Sequence, residues 1–449
     1  MKKLFGTDGV RGLANVTPMT PEMALALGQA IAYHFKHEKT THRIIIGKDT
    51  RRSSYMLEQA IAAGICSMGS NAVFTGPLPS PAVAFLTKAM RADAGVMISA
   101  SHNPYYDNGI KFFDRDGFKL SDEVELELEA FVENKMKGVK RPTGQDVGKA
   151  YRIEDAQGRY IEFVKRTFPK TLTLDGFKIV LDCAHGSAYK IAPNALWELG
   201  AEIVPVGVTP NGININDRCG AVSPEDLRKV VVDNKAHVGI ALDGDADRVV
   251  MCDENGDLID GDQVIAICAL ELNAAGLLKS NKVVGTILTN MGVENYLKEH
   301  GIGMVRTPVG DRYIIEEMRK SKLSLGGEPS GHVIFSSHTT TGDGLVAALQ
   351  VLANMIKSGL KLSELARNIP LYPQVQQNLR VKERKVLEDI PAVQQAIVEL
   401  NNRLNSHGRT VIRYSGTEPL LRLMIEGKDE AIISSELKFL VKVLERNLA

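Results

Sequence analysis

Asp243, Asp245 and Asp247 stand at alternate positions directly after an apolar run over 237–242, and Arg248 follows at once. Carboxylates are the hard oxygen ligands that Mg²⁺ takes together with phosphate oxygens, and no Cys or His stands among them to favour zinc. On an extended stretch the three side chains would share one face, with the small Gly244 and Ala246 letting the chain wrap an ion. Turns rich in Asp and Gly are common between strands, but the alternation and the neighbouring arginine favour a metal site.

A second apolar run, 96–98, stops abruptly at Ser99-Ala100-Ser101-His102-Asn103-Pro104, which leaves the Ser101 hydroxyl exposed on a turn. Ser101 and His102 being adjacent is no evidence of a protease triad, nor is this a Gly-x-Ser-x-Gly elbow. The continuation Asn108-Gly109-Ile110-Lys111-Phe112-Phe113 returns the chain into a strand and brings Lys111 near the serine. A hydroxyl that can carry phosphate and a carboxylate cradle for a hard cation are the two parts that phosphoryl transfer needs.

Elements able to position these parts follow a repeated rhythm. Strand-like runs at 43–47, 72–74 and 96–98 alternate with helices at 54–68 and after Pro81. The rhythm restarts at 178–182, with a helix over 193–199 and a strand at 202–204, and again at 282–286, with a helix over 292–299. Such alternation predicts βαβ units with helices on both sheet faces, here three related ones. After Pro373 the order becomes strand 375–381, helix 390–402, strands 410–413 and 420–426, and a last helix to 448, which predicts a smaller α+β domain. Boundaries are expected at 1–152, 153–256, 257–370 and 371–449, with a polar linker over 135–146.

Composition narrows the function classes. The 449 residues carry 54 basic and 54 acidic side chains, so no net field recruits nucleic acid or membrane. Cys66, Cys183, Cys219, Cys252 and Cys268 are scattered without a Cys-x-x-Cys pair, which predicts reduced thiols and a cytoplasmic protein. The chain opens without a hydrophobic signal region. Its longest apolar stretch, 264–278, contains Glu271 and Asn273 and is too short to span a bilayer. It reads as a core-facing helix.

Other motifs are weaker alone. Gly326-Gly327-Glu328-Pro329-Ser330-Gly331-His332 pairs a carboxylate with a hydroxyl, as a sugar would need, but a solvated turn fits equally. Arg413-Tyr414-Ser415-Gly416-Thr417 offers a guanidinium fork and loop amides for a phosphate dianion; alone it would pass for an exposed turn. Arg422 could add charge or be merely solvated. The 307–313 segment says only a turn followed by a helix.

With Gly6-Thr7-Asp8-Gly9-Val10-Arg11-Gly12 at the N-terminus, these motifs occur in an order that resembles the α-D-phosphohexomutase superfamily, in particular its branch acting on glucosamine phosphates. The likeness runs over essentially the whole chain and implies three α/β domains with mixed sheets plus a C-terminal α+β domain around a central cleft. It also implies interconversion of glucosamine 6-phosphate and glucosamine 1-phosphate, feeding UDP-N-acetylglucosamine synthesis.

The resemblance casts Ser101 as the phosphoserine that gives its phosphoryl group to the sugar, Mg²⁺ (one per chain) as held by Ser101, Asp243, Asp245 and Asp247, and glucosamine 1,6-bisphosphate as intermediate and activator. Arg11 and Lys111 would help the hydroxyl proton move and, with Arg248, stabilise the phosphoryl group; His102 and His332 would support by hydrogen bonds, and Glu328, Ser330 and His332 would contact the sugar. Arg413, Ser415, Gly416, Thr417 and Arg422 would hold the other phosphate. One departure is Pro329, where that branch commonly has Gln; proline offers neither an amide side chain nor an N–H. The rivals are a phosphomannomutase or phosphoglucomutase, a phosphatase using Asp243 as nucleophile, and a silent sugar-phosphate sensor. Partners are sugar phosphates, and a homodimer stays open.

Overall fold

The computed structural model describes residues 4–6, 8–36, 42–134, 137–414 and 419–448, with backbone alone at 406. The first sheet has the strand order Val10–Leu13, Asp107–Asp114, Ala94–Ile98, Arg43–Lys48, Asn71–Pro77, Ala150–Arg152. The strands from Ala94–Ile98 onward run parallel, whereas Asp107–Asp114 runs antiparallel to both its neighbours, Ala94–Ile98 and Val10–Leu13. The second sheet runs Leu258–Ile259, Val249–Cys252, Val238–Leu242, Lys178–Asp182, Glu202–Val206, and the third Gly303–Thr307, Lys282–Thr286, Leu325–Gly327, Val333–Phe335. Each is therefore mixed, and helices pack on both faces of the parallel part, as the alternating rhythm predicts.

Each of the three α/β sheets repeats one device. A parallel strand ends, a loop follows, and the chain returns antiparallel alongside: Met97 opposite Lys111, Leu242 opposite Val249, Gly327 opposite Val333. The serine, carboxylate and Glu328 loops thus occupy equivalent positions in three related units. In the C-terminal sheet, Gln374–Arg380, Leu420–Gly427 and Gly408–Tyr414 are all antiparallel, and the Arg413 loop is again the return between two of them. Of that loop, residues 415–418 lie outside the described residues.

One apolar core passes through all three α/β units, from Ile45 through Leu181 and Ile240 to Val283 and Leu349. The C-terminal unit has a core of its own, built on Leu400, Leu421, Ile425 and Leu440. It is tied to the third unit by Glu426, fully buried, which accepts from the Met291 N–H at the start of helix Met291–Glu299 at 2.9 Å and pairs with Arg409 of its own sheet at 2.6 Å. The apolar stretch at 264–278 forms the buried helix Gly261–Ala274, started by a capping box between Asp260 and Gln263. Among the described residues, no helix is long and apolar enough to cross a membrane.

The second and third units are also pinned by one buried hydrogen bond. Tyr160, on helix Ala156–Thr167, donates its hydroxyl to Asp343 at 2.6 Å, and the other Asp343 oxygen caps helix Gly344–Ser358 at the Leu345 and Val346 N–H groups. Burial pushes the Asp343 carboxyl up to about 6. Tyr160→Phe leaves that oxygen without its donor, so the unfolding free energy is expected to drop by about 1–3 kcal/mol in urea titration. An unchanged midpoint and slope would show that the bond carries no net stability.

Candidate active site

The serine loop sits differently from its sequence expectation. Ser101 is 1% exposed, not open to solvent, and its φ of 51° lies in the left-handed region. The local turn composition is right, but the carboxylate turn of the second sheet lies over it. Gly244 approaches so closely that an added Cβ would stand 2.6 Å from the Ser101 carbonyl oxygen. Across this contact Ser101 Oγ donates to Asp243 Oδ2 at 2.6 Å.

The carboxylates also converge by another route than alternation along a strand. Residues 243–247 form a tight turn, with Ala246 at φ 57°, because the chain must reverse within six residues to pair Leu242 with Val249. Even so, one oxygen from each of Asp243, Asp245 and Asp247 lies within 4.8 Å of the others, and all three residues are buried. Asp245 Oδ1 and Asp247 Oδ1 accept no hydrogen bond among the described residues. Burial, then the charges of Asp247 and Asp245, push the Asp243 carboxyl up to about 8. Near-octahedral coordination of Mg²⁺ needs oxygens about 3–4 Å apart and free lone pairs. One oxygen of each carboxylate lies within 4.8 Å of the others and two oxygens are free of hydrogen bonds among the described residues, a donor set that fits a hard divalent cation.

Cations surround this cluster. Lys111, reached by the return strand, places Nζ 2.8 Å from Asp245, 3.3 Å from Asp247 and 3.1 Å from Asp8. Burial alone would lower its pKa, but Asp245, Asp8 and Asp247 outweigh it and hold the ammonium charged. Arg11 pairs with Asp8, and although burial opposes its charge, Asp8, Asp245 and Asp247 keep it. His102 Nδ1 is 3.4 Å from Ser101 Oγ; burial, then Arg248 and Arg11, lower its pKa to about 4, so the ring is neutral. Arg248 donates its backbone N–H to Asp243 Oδ1 at 3.2 Å, and its guanidinium stays charged beside Asp247 and Asp243 despite burial.

His332 lies beneath the Glu328 loop, not on its surface: it is 2% exposed, with Nδ1 3.7 Å from Asp247 and Nε2 accepting from the Gly342 N–H at 3.0 Å. Above it Glu328 accepts the Gly310 N–H at 3.0 Å and Ser330 Oγ lies 3.4 Å from Glu328 Oε2, so the 307–313 turn borders the same loop. Arg413 and Arg422 face each other across the C-terminal hairpin. Arg413 is depressed first by burial and then by Arg422, and it is raised by the Glu328 carboxylate. Ser415, Gly416 and Thr417, like Thr7, lie outside the described residues.

Two residues that the sequence did not single out complete the cluster. Lys119 Nζ bridges Asp8 of the first unit and Asp311 of the third, and Asp311 stands 3.5 Å from His332 Nε2. Neither has a local signal: Lys119 follows an ordinary Asp-Gly turn and Asp311 opens a helix. The sites thus come together from three sheets, with the C-terminal hairpin facing them.

Four family models match the chain in order: phosphoglucomutase/phosphomannomutase α/β/α domain I at 2–138, domain II at 158–256, domain III at 260–372 and the C-terminal domain at 377–442. A phosphoglucosamine mutase of Geobacter sp. (strain M21) is 56% identical over 448 residues, 100% of this chain and 99% of that protein. The chain belongs to the phosphoglucosamine mutases of the phosphohexomutase superfamily. Solved phosphohexomutases share the fold. A phosphoglucomutase/phosphomannomutase family protein of Burkholderia thailandensis has TM-score 0.81 at 19% identity, covering 99% of this chain and 98% of that one. The Aspergillus fumigatus N-acetylphosphoglucosamine mutase with GlcNAc-6P and magnesium has TM-score 0.71 at 17% identity, with 100% and 96% covered. A Ser-to-Ala variant of the same fungal enzyme with glucose 1,6-bisphosphate has TM-score 0.62 at 19% identity, with 96% and 99% covered.

Within this phosphohexomutase, Lys119 is the shared counter-charge of two carboxylates from different units, at 9% side-chain exposure. Lys119→Met leaves Asp8 and Asp311 facing each other, and breaking a buried pair this way costs about 3–5 kcal/mol. A loss of that size in urea unfolding is expected. A loss below about 1 kcal/mol would mean the bridge behaves as a surface pair.

Proposed function

We propose that phosphorylated Ser101 is the group that moves phosphate between the two ends of glucosamine monophosphate. The observation that carries this is the 2.6 Å contact of Ser101 Oγ with Asp243 inside a buried carboxylate cluster ringed by Arg11, Lys111 and Arg248. The amino-sugar specificity rests on relatives 55–56% identical over the whole chain and named phosphoglucosamine mutases. We propose domain limits of 1–152, 153–256, 257–370 and 371–449 for the four units.

In the first half-reaction the free sugar hydroxyl bonds to the phosphorus as the bond to Ser101 Oγ breaks, and the hydroxyl proton ends on Ser101. The product is a 1,6-bisphosphate. It turns within the cleft, and its other phosphate returns to Ser101, so atoms and charge balance over the cycle. Lys111, Arg11 and Arg248 hold positive charge where the transferred group passes. Lys111, kept charged by three carboxylates, is a poor base. Glu328 and Ser330 would hold sugar hydroxyls in both orientations, and Arg413 with the 415–417 loop would hold the non-reacting phosphate. One Mg²⁺ per chain, on Asp243, Asp245, Asp247 and an oxygen of phosphorylated Ser101, would neutralise the phosphoryl oxygens. A bisphosphate lost from the cleft leaves Ser101 bare, so added bisphosphate would restart the enzyme.

An aspartyl-phosphate phosphatase is less well supported, because both Asp243 oxygens are already engaged, one by Ser101 and one by the Arg248 N–H. Ser101→Ala is expected to fold normally and lose nearly all mutase turnover. Mass spectrometry that finds phosphate on an aspartate of 243–247, with Ser101 bare, would overturn the carrier assignment. Chelation with EDTA is expected to abolish turnover and Mg²⁺ to restore it; full activity in metal-free protein would remove the metal from the scheme.

A further inference from the structure

Arg51 is a fully buried guanidinium, and all five of its donors are used. Nε bonds Asp49 Oδ2 at 2.6 Å. Nη1 takes the carbonyls of Pro104 and, at 3.1 Å, Asp107; Nη2 takes those of Ser101 at 2.9 Å and Asn103 at 2.8 Å. Four carbonyls of one seven-residue segment therefore converge on a single side chain of the first sheet. Asp49 closes the circuit. It accepts from Ser54 Oγ and Ser99 Oγ, each at 2.7 Å, and Ser99 Oγ accepts from the Ser101 N–H at 2.9 Å. Both peptide groups of Ser101 are thus fixed from one salt-bridged pair.

The Ser101 carbonyl has a second donor. Asn216, on the second sheet's side, gives Nδ2 to it at 2.8 Å and to Asn103 O at 3.1 Å. Ser101 itself holds a left-handed φ of 51°, a conformation that costs an ordinary residue about 1–3 kcal/mol and persists only when its surroundings over-determine it. Here the surroundings are two donors on one carbonyl oxygen, one from each sheet.

We propose that Arg51 and Asn216 are a positioning pair that fixes the Ser101 peptide so that its Oγ meets both ends of the bisphosphate from one place, with Asn216 making that setting depend on the second sheet being seated. The inference rests on Ser101 being the phosphoryl carrier. Neither residue touches Oγ; each acts through the carbonyl. A lysine at 51 could not substitute, since one ammonium cannot span four carbonyls and a carboxylate.

The test uses the full-length enzyme with glucose 1,6-bisphosphate as phosphoryl donor and glucosamine 6-phosphate as substrate. Asn216 has φ 58°, so Asn216→Gly removes the side chain while leaving a backbone that glycine adopts freely. It is expected to melt within about 2 °C of wild type, to keep its KM, and to lose about tenfold in kcat and in the single-turnover rate of phosphate appearance on Ser101. Arg51→Lys is expected to lose about a hundredfold in both rates, read on its folded fraction; where none is obtained, Asn216→Gly decides. Wild-type rates in either variant, or a kcat loss in Asn216→Gly that only tracks a loss of folded protein, overturn the positioning role. A wild-type enzyme that takes up no phosphate on Ser101 overturns the carrier reading instead, and is distinguished by needing no variant at all.

Discussion

The structure depends on one electrostatic problem: several carboxylates, Asp8, Asp243, Asp245, Asp247 and Asp311, gathered where little water reaches. Removing such ions from water costs several kcal/mol each unless partners are supplied in good geometry. No unit holds enough partners itself. Lys111 and Lys119 come from the first unit to carboxylates of the second and third, and His332 comes from the third to Asp247. The assembly of the three sheets and the compensation of their charges are one event. What remains uncompensated, seen in the raised Asp243 and in Asp245 Oδ1, which accepts no hydrogen bond among the described residues, is where a divalent cation belongs.

This also separates what could be read in the chain from what could not. Apolar runs at 43–48, 94–98, 178–182 and 282–286 announce their strands, and the residues that end them announce their loops. These strands are buried on both faces, so they read as continuous apolar runs in the sequence. The exposure of Ser101 could not be read, because what covers it is a turn about 140 residues away. Lys119, Asp311, Arg51 and Asn216 are ordinary residue types in ordinary turns; their meaning lies in partners more than 100 residues distant or in backbone carbonyls, which leave no pattern. The carboxylate triad was legible by residue type, yet it converges through a turn.

The units are not equally bound. Three share one core, whereas the C-terminal sheet keeps its own and meets the third through the Glu426 anchor. Arg413 and Arg422, register partners of each other, therefore sit on the unit with a core of its own.

The contact of Gly244 with the Ser101 carbonyl has a consequence for how this architecture can change over time. The two loops meet backbone to backbone, with no room for a methyl group between them. Neither loop can shift its backbone without the other. A chimaera made by exchanging one unit would inherit a mismatch at this seam before any reacting atom was altered. Substitution at the far ends of the strands meets no such constraint from this seam.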